Sequence, residues 1–233
     1  MQDRSDAAFR AYLAAKGRMF AQDPGFRVDR VGPLWCLRHH PGWPEKDAYY
    51  GLNVGPFEAA AVIASDGSPQ EHRLTLLQKP RPDAISICPP GYRLEERPQP
   101  FLCRWLDQAD NGPRAVPVVD EAGLVFVNVP SPYMKVEELR GGVYRYYYLE
   151  VDGVAACRGR CVDIEGAIYV AGLDTLPEFR RRGLGHALMR TMEVDAFSRG
   201  KPLATLWSSA IGRGMYRSLG YEEWMRTEVY DLI

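Results

Sequence analysis

The sequence predicts an α/β (α+β) chain whose mixed sheet is flanked by helices, and three stretches carry that expectation. Ala167-Ile168-Tyr169-Val170-Ala171-Gly172-Leu173 is a short run rich in β-branched and aromatic residues, the signature of a strand. It is followed by Leu184, Leu188 and Met192 at helical spacing. Val143 to Val151 and Val154 to Cys161 meet across Asp152-Gly153, a strong hairpin signal. Leu203 to Trp207 reads as a further strand, with a helix over 211–219 and a strand over 222–232. The order is strand–turn–strand, strand, helix, strand, helix, strand. Antiparallel pairing therefore gives way to parallel pairing, with helices on the faces.

The N-terminal half is less regular. Residues 7–20, with Ala8, Phe9, Tyr12, Leu13, Met19 and Phe20 apolar, read as an amphipathic helix ending near Pro24-Gly25. Phe26 to Val31 and Leu34 to Leu37 read as two strands separated by Gly32-Pro33, and His39 to Pro44 as a solvated loop. Tyr49 to Asn53 is strand-like; Phe57 to Ala64 suits a helix or a strand equally; Asp83 to Cys88 suits a strand. Gly91-Tyr92-Arg93-Leu94-Glu95-Glu96-Arg97 echoes Gly220-Tyr221-Glu222-Glu223-Trp224-Met225-Arg226. Phe101 to Leu106 reads as a helix inside a proline-rich stretch, and a unit boundary is expected near residue 115, giving units 1–115 and 116–233. The second unit opens with an expected strand over 124–129 and a helical turn over 135–139.

Composition narrows the function. A chain of 233 residues, 46% hydrophobic and 25% charged, buries a sizeable core. A net charge of −1 provides no field to recruit nucleic acid or an anionic membrane, so neither is an expected partner. The N-terminus lacks an apolar signal core, no run approaches the length of a membrane span, and the five cysteines lack paired C-x-x-C spacing. A reduced, cytoplasmic protein is expected. His39-His40 lacks the third and fourth ligand a metal site requires, so no metal is expected.

The chemistry concentrates in Arg180-Arg181-Arg182-Gly183-Leu184-Gly185-His186, placed between a strand and a helix. The first N–H groups of a helix lack intrahelical partners and sit at the positive end of its dipole, and arginines add charge. Such a place suits a phosphate or pyrophosphate. Neither G-x-x-x-x-G-K-[ST] nor G-x-G-x-x-G is present, which argues against a nucleotide-binding protein of either kind.

Arg180-x-x-Gly183-x-Gly185, preceded by Leu-Asp-Thr-Leu-Pro, resembles the pyrophosphate motif of the GNAT superfamily of N-acetyltransferases. Gly214-Met215-Tyr216-Arg217-Ser218-Leu219-Gly220-Tyr221 resembles the family's other segment, a tyrosine helix before a Leu-Gly-aromatic turn. The resemblance implies acetyl-CoA as donor and a small-molecule or peptide amine as acceptor. It implies that Arg180, Arg181, Arg182, Gly183, Leu184, Gly185 and His186 cradle the pyrophosphate, mostly through main-chain N–H groups. It also implies that the backbone of Leu173, Asp174 and Thr175 bonds the pantetheine arm, and that Ser209 touches that arm. Tyr216 would be the acid that protonates the leaving thiolate.

Some family members carry two such units, and the Gly-Tyr echo suggests that residues 1–115 are a worn copy. No base is assigned: Glu150, Asp163, Glu165 and Asp174 are all candidates. Tyr144, Tyr146 and Tyr148 share one strand face, which suits sheet packing better than an acceptor wall. A non-catalytic acyl-CoA-binding or regulatory module is the competing reading, and a homodimeric assembly stays open.

Overall fold

The computed structural model describes residues 2–21, 23–40, 46–67, 71–80, 86–95, 99–107, 116–118, 120–128 and 135–233. They fall into two units, one of Met1–Leu102, Ser208–Ala210 and Glu223–Ile233, the other of Cys103–Trp207 and Ile211–Glu222. The loop expected over residues 41–44, residues 83–85 of an expected strand and the boundary expected near residue 115 lie outside the described residues. Among the described residues no helix is long and apolar enough to cross a membrane.

In the first unit, α1 (Gln2–Met19), β1 (Arg27–Val31), β2 (Leu34–Arg38), β3 (Asp47–Leu52), α2 (Pro56–Ser65), β4 (His72–Gln78) and β5 (Tyr92–Leu94) follow in order. β6 (Gln99–Trp105) runs on from it, its last three residues belonging to the second unit. β1–β2 and β2–β3 pair antiparallel, and β3–β4 pair parallel through α2. Pro56 opens α2 at a position where its missing N–H costs nothing, which settles the ambiguous 57–64 run as helix. Ala59 and Ile63 of α2 pack with Leu34, Tyr49, Leu74, Leu76 and Tyr230 to form the core. Burial of each large side chain there contributes roughly 1.5–3 kcal/mol. His39 is no solvated loop residue: its Nδ1 lies 3.0 Å from Asp23 Oδ2, both side chains are buried, and its ring packs edge-on against Phe20.

The second unit continues with β7 (Val116–Val118), α3 (Glu121–Asn128), α4 (Val136–Arg140), β8 (Tyr144–Val151), β9 (Val154–Ile164) and β10 (Ala167–Thr175). A 3-10 turn at Pro177–Phe179 leads to α5 (Leu184–Ser198), β11 (Leu203–Trp207), α6 (Arg213–Ser218) and β12 (Glu222–Leu232). β7–β8, β8–β9 and β9–β10 are antiparallel, and β10–β11 is parallel through α5. Asp152 (φ 51°) and Gly153 (φ 74°) turn the expected hairpin with the left-handed pair that a tight two-residue turn needs. α5 buries Leu188, Met189, Met192 and Ala196. On the opposite face, Val127 of α3 packs with Val118, Leu124, Tyr146 and Ala155. From Glu223 on, β12 belongs to the first unit, pairing antiparallel with β4 and β5.

Ser86 to Cys88, the described end of the strand expected over 83–88, belongs to no strand, and two further expected elements differ in type. The run 101–106 is strand β6, not helix; Phe101, Leu102 and Cys103 are fully buried, and a run buried on both faces has no alternation to reveal it. The run 124–129 lies largely in helix α3, not in a strand. Asp120 Oδ1 accepts the Gly123 N–H at 2.8 Å, a helix-starting cap that outweighs the β-branched composition. β4 was not anticipated.

The two units share one plan: an antiparallel hairpin, a third antiparallel strand, a helix, and a strand parallel to the third. The Gly-Tyr echo is a shared turn, with Gly91 at φ 80° and Gly220 at φ 88°, each followed by a buried tyrosine entering a strand.

Candidate active site

The site begins with a strand that loses one neighbour. β10 pairs with β9 along its length to Thr175↔Cys157, with a bulge between Val170 and Gly172. Its parallel pairing with β11 runs only from Ala167↔Leu203 to Val170↔Leu206. Beyond Val170, β10 has no partner on the β11 side among the described residues. The Leu176 N–H donates to Ala156 O at 3.0 Å, so Leu176 faces β9. Main-chain direction alternates along a strand, so Asp174 also faces β9, while the N–H and C=O of Leu173 and Thr175 face the open edge. Arg180 Nε donates to Thr175 O at 3.0 Å, as that direction requires. An open edge of this kind accepts an extended amide-bearing chain as an added strand.

The loop after β10 supplies the charge. Gly183 precedes α5 at φ 78°, a left-handed conformation natural to glycine, and no side chain caps the helix. The N–H groups of Leu184, Gly185 and His186 thus lie at a helix N-terminus with room for an anion. Arg181 also adopts a left-handed conformation, φ 64°. Arg180, Arg181 and Arg182 are exposed. Arg182 Nη2 donates to Glu178 O at 3.1 Å and its guanidinium lies 5.1 Å from the Phe179 ring centroid, holding the turn in shape. A Cβ on Gly185 would stand 3.0 Å from Met215 Sδ, 3.6 Å from Leu173 Cδ2 and 3.7 Å from Thr175 Oγ1. The helix start, α6 and the open strand therefore converge at Gly185.

Tyr216 lies in α6, buried, with its ring 5.7 Å from that of Tyr221. Burial, and secondarily Cys157, push its phenol up to about 12, so it holds its proton at neutral pH. Cys157 Sγ is 3.1 Å from Thr175 Oγ1. Burial pushes the Cys157 thiol up to about 11, so it stays protonated, and a poor nucleophile, at neutral pH. Ser209 lies in the short segment after β11 that groups with the first unit, and its carbonyl accepts from Ser208 Oγ at 2.9 Å.

The other face of β10 holds an ion pair that joins Asp174 to Arg158, a residue no motif marks. Asp174 stands opposite Arg158 of β9, and Arg158 Nη2 donates to Asp174 Oδ2 at 2.6 Å. The Arg158 side chain is 2% exposed and that of Asp174 40%. Arg158 Nη1 also donates to Val127 O, near the C-terminus of α3, at 3.2 Å. An arginine amid Ala155, Ala156, Cys157 and Gly159 in a strand is the one signal the sequence offered. Of the tyrosine stripe, Tyr146 is core, donating to Glu138 Oε2 at 2.5 Å, and Tyr144 carries the Arg160 guanidinium 4.9 Å from its ring centroid. Glu150, Asp163 and Glu165 lie in or beside β8 and β9, and Asp163 is bound to Arg145 and Arg199.

Comparison with known proteins agrees with this geometry. Residues 164–224 match the family model described as an acetyltransferase (GNAT) domain. Among solved structures, a GCN5-related N-acetyltransferase from Kribbella flavida is similar at 20% identity, with 95% of each chain covered and a TM-score of 0.60. One from Sphaerobacter thermophilus is similar at 14% identity and TM-score 0.52, covering 97% of this chain and 92% of that one. A tandem GNAT protein from the clavulanic acid biosynthesis pathway is similar at 13% identity and TM-score 0.51, covering 97% and 94%. Curated protein sequences give no significant match. Residues 164–224, which span the open strand, the Arg/Gly loop and α6, thus match a GNAT acetyltransferase domain model, and the chain shares its fold with solved GNAT acetyltransferases, a tandem member among them.

Proposed function

We propose that the protein is an acyltransferase that moves the acetyl group of acetyl-CoA to an amine by direct attack, with both substrates bound together. The observation that carries this reading is the edge of β10 from Ala171 to Thr175, which β11 does not pair, beside the uncapped start of α5. The residues present fit the donor: two strand residues offer main-chain groups to an amide-bearing arm, and a helix N-terminus with three exposed arginines offers positive potential to a pyrophosphate. The donor supplies an acyl group activated as a thioester.

The chain's own groups do the rest. The Leu173 N–H, on the open edge, donates to the acyl oxygen and holds it as charge develops there. Tyr216 keeps a proton on its phenol oxygen and delivers it to the departing sulfur. The acceptor ammonium gives up its proton to water before attack, and the second proton that the nitrogen loses restores the phenol through solvent. A protonated Cys157 leaves no thiolate to carry the acyl group, which favours direct transfer.

Calorimetric titration with acetyl-CoA, CoA and ATP tests the site. Micromolar binding of the first two without ATP is the expected result; no binding of acetyl-CoA overturns the reading. Release of free thiol with an amine present then separates an enzyme from a non-catalytic acyl-CoA-binding module.

A further inference from the structure

One carboxylate is placed to meet whatever approaches Leu173 from the side away from the helices that hold the donor. Alternation puts the side chains of Leu173 and Thr175 toward Gly185 and Met215, on the α5 and α6 face, and Asp174 on the opposite face with α3. The donor takes the α5 face and the strand edge, so an acceptor reaches the edge across the α3 face. There Asp174 lies between the two edge residues, Leu173 and Thr175. Its Oδ2 is held by Arg158, while Oδ1 has no partner among the described residues and the side chain is 40% exposed. Arg158 is buried, and its two terminal nitrogens bond Asp174 and Val127 O, so it orients the carboxylate.

Two other charged groups described on this face are committed differently. Arg160 lies over the Tyr144 ring and 3.7 Å from Glu138, and Glu138 also takes the Tyr146 hydroxyl. Among the described residues, Asp174 is a carboxylate of this face that adjoins the open edge, with Oδ1 unpartnered and the side chain 40% exposed.

We propose that Asp174 binds the cationic amine of the acceptor through Oδ1, with Arg158 as its positioning residue, and that the acceptor class is therefore alkyl ammonium compounds. This rests on the acetyl-transfer reading. A charge-assisted hydrogen bond to a carboxylate is short and directional, and here it sets the nitrogen beside the Leu173 edge before it deprotonates.

The test is steady-state kinetics of thiol release with n-butylamine, 1,4-diaminobutane, lysine methyl ester and hydroxylamine, the last being uncharged at neutral pH. Wild-type protein, Asp174→Asn, Asp174→Glu and Arg158→Lys are compared, with acetyl-CoA affinity measured for each. The expected result is at least a tenfold rise in KM for the ammonium acceptors in Asp174→Asn, with kcat changed far less. KM for hydroxylamine and the affinity for acetyl-CoA stay within about twofold, and Asp174→Glu recovers part of the loss. KM for the ammonium acceptors rises with salt in the wild type and is flat in Asp174→Asn. Arg158→Lys raises the same KM by a smaller factor.

Unchanged KM in Asp174→Asn overturns the inference. So does equal loss for charged and uncharged acceptors, or reaction with hydroxylamine but with none of the ammonium acceptors. Failure to bind acetyl-CoA, or no thiol release with any acceptor, overturns the transferase reading instead, which keeps the two claims apart.

Discussion

Tyr216 and Gly183 carry the residue-scale consequences. A phenol held near 12 is fully protonated where a transferase works, so its value as an acid does not depend on ordinary pH. Turnover with saturating substrates should therefore stay level between about pH 8 and 10, with no descending limb traceable to this group. Tyr216→Phe removes the proton and keeps the ring against Tyr221; kcat should fall by roughly 100-fold, with acetyl-CoA affinity within about twofold. A Phe variant with full kcat would remove the acid role. Gly183 makes a different demand. A Cβ there would meet nothing within 4 Å, so Gly183→Ala should still fold. Its left-handed φ of 78° costs a non-glycine residue about 1 kcal/mol, and the methyl stands at the mouth of the helix start. Melting should show that small loss, while calorimetry should show a larger loss of acetyl-CoA affinity, at least about tenfold.

At the scale of elements, α5 must be held at both ends if its N-terminus is to stay aligned with β10. Its C-terminal end is tied to the sheet by Arg199, whose Nη2 and Nε reach Asp163 Oδ1 and Oδ2 at 2.9 and 3.1 Å. Arg145 reaches Asp163 Oδ2 at 2.8 Å, and Asp195 joins Arg199 to the Tyr147 hydroxyl. Burial alone would raise the Asp163 carboxyl, but hydrogen bonds and charge from Arg199 and Arg145 outweigh it and hold it below its usual value. A depressed carboxyl contributes stability that is present above its unfolded value, near 3.9, and is lost as pH falls through its lower folded value. Asp163→Asn should cost about 2–3 kcal/mol at pH 7 in denaturant titration, and the gap should narrow below about pH 4. A gap unchanged with pH would mean the network is not electrostatic. Elements like these differ in how openly the sequence declares them. Asp152-Gly153 and the Leu203–Trp207 strand were legible because turn chemistry and flanking glycine or proline bound them. β6 was not, since burial on both faces erases its period, and α3 was not, since its evidence was the Asp120 cap and not its composition. The Arg/Gly loop was readable as a motif. The direction of the Asp174 side chain was not, because it depends on which β10 groups face β9, and that follows from the bulge between Val170 and Gly172.

At the scale of the whole molecule, two units with one plan raise the question of how many donor sites a chain carries, and strand pairing answers it. In the second unit β10 runs on for five residues after its last β11 pair, from Ala171 to Thr175. In the first unit the corresponding strands never part: β3 pairs with β4 from Asp47↔His72 to Leu52↔Leu77. The Asn53 N–H then donates to Leu77 O at 2.8 Å, Asn53 Oδ1 accepts the Lys79 N–H at 3.2 Å, and the Gln78 side-chain amide donates to Val54 O. The main-chain groups Asn53 N–H, Val54 O, Leu77 O and Lys79 N–H are thus engaged by the protein itself. Between β3 and α2 the sequence is Asn53-Val54-Gly55, without arginine. Inserting a ligand there would break these hydrogen bonds, and a buried group left unpaired, such as Leu77 O, costs about 1–3 kcal/mol. Calorimetry should therefore give one acetyl-CoA per chain. Gly183→Ala should weaken the whole isotherm, leaving no residual tight component. A stoichiometry of two, or a component untouched by that change, would show that the first unit opens its β3–β4 pair to bind a second donor.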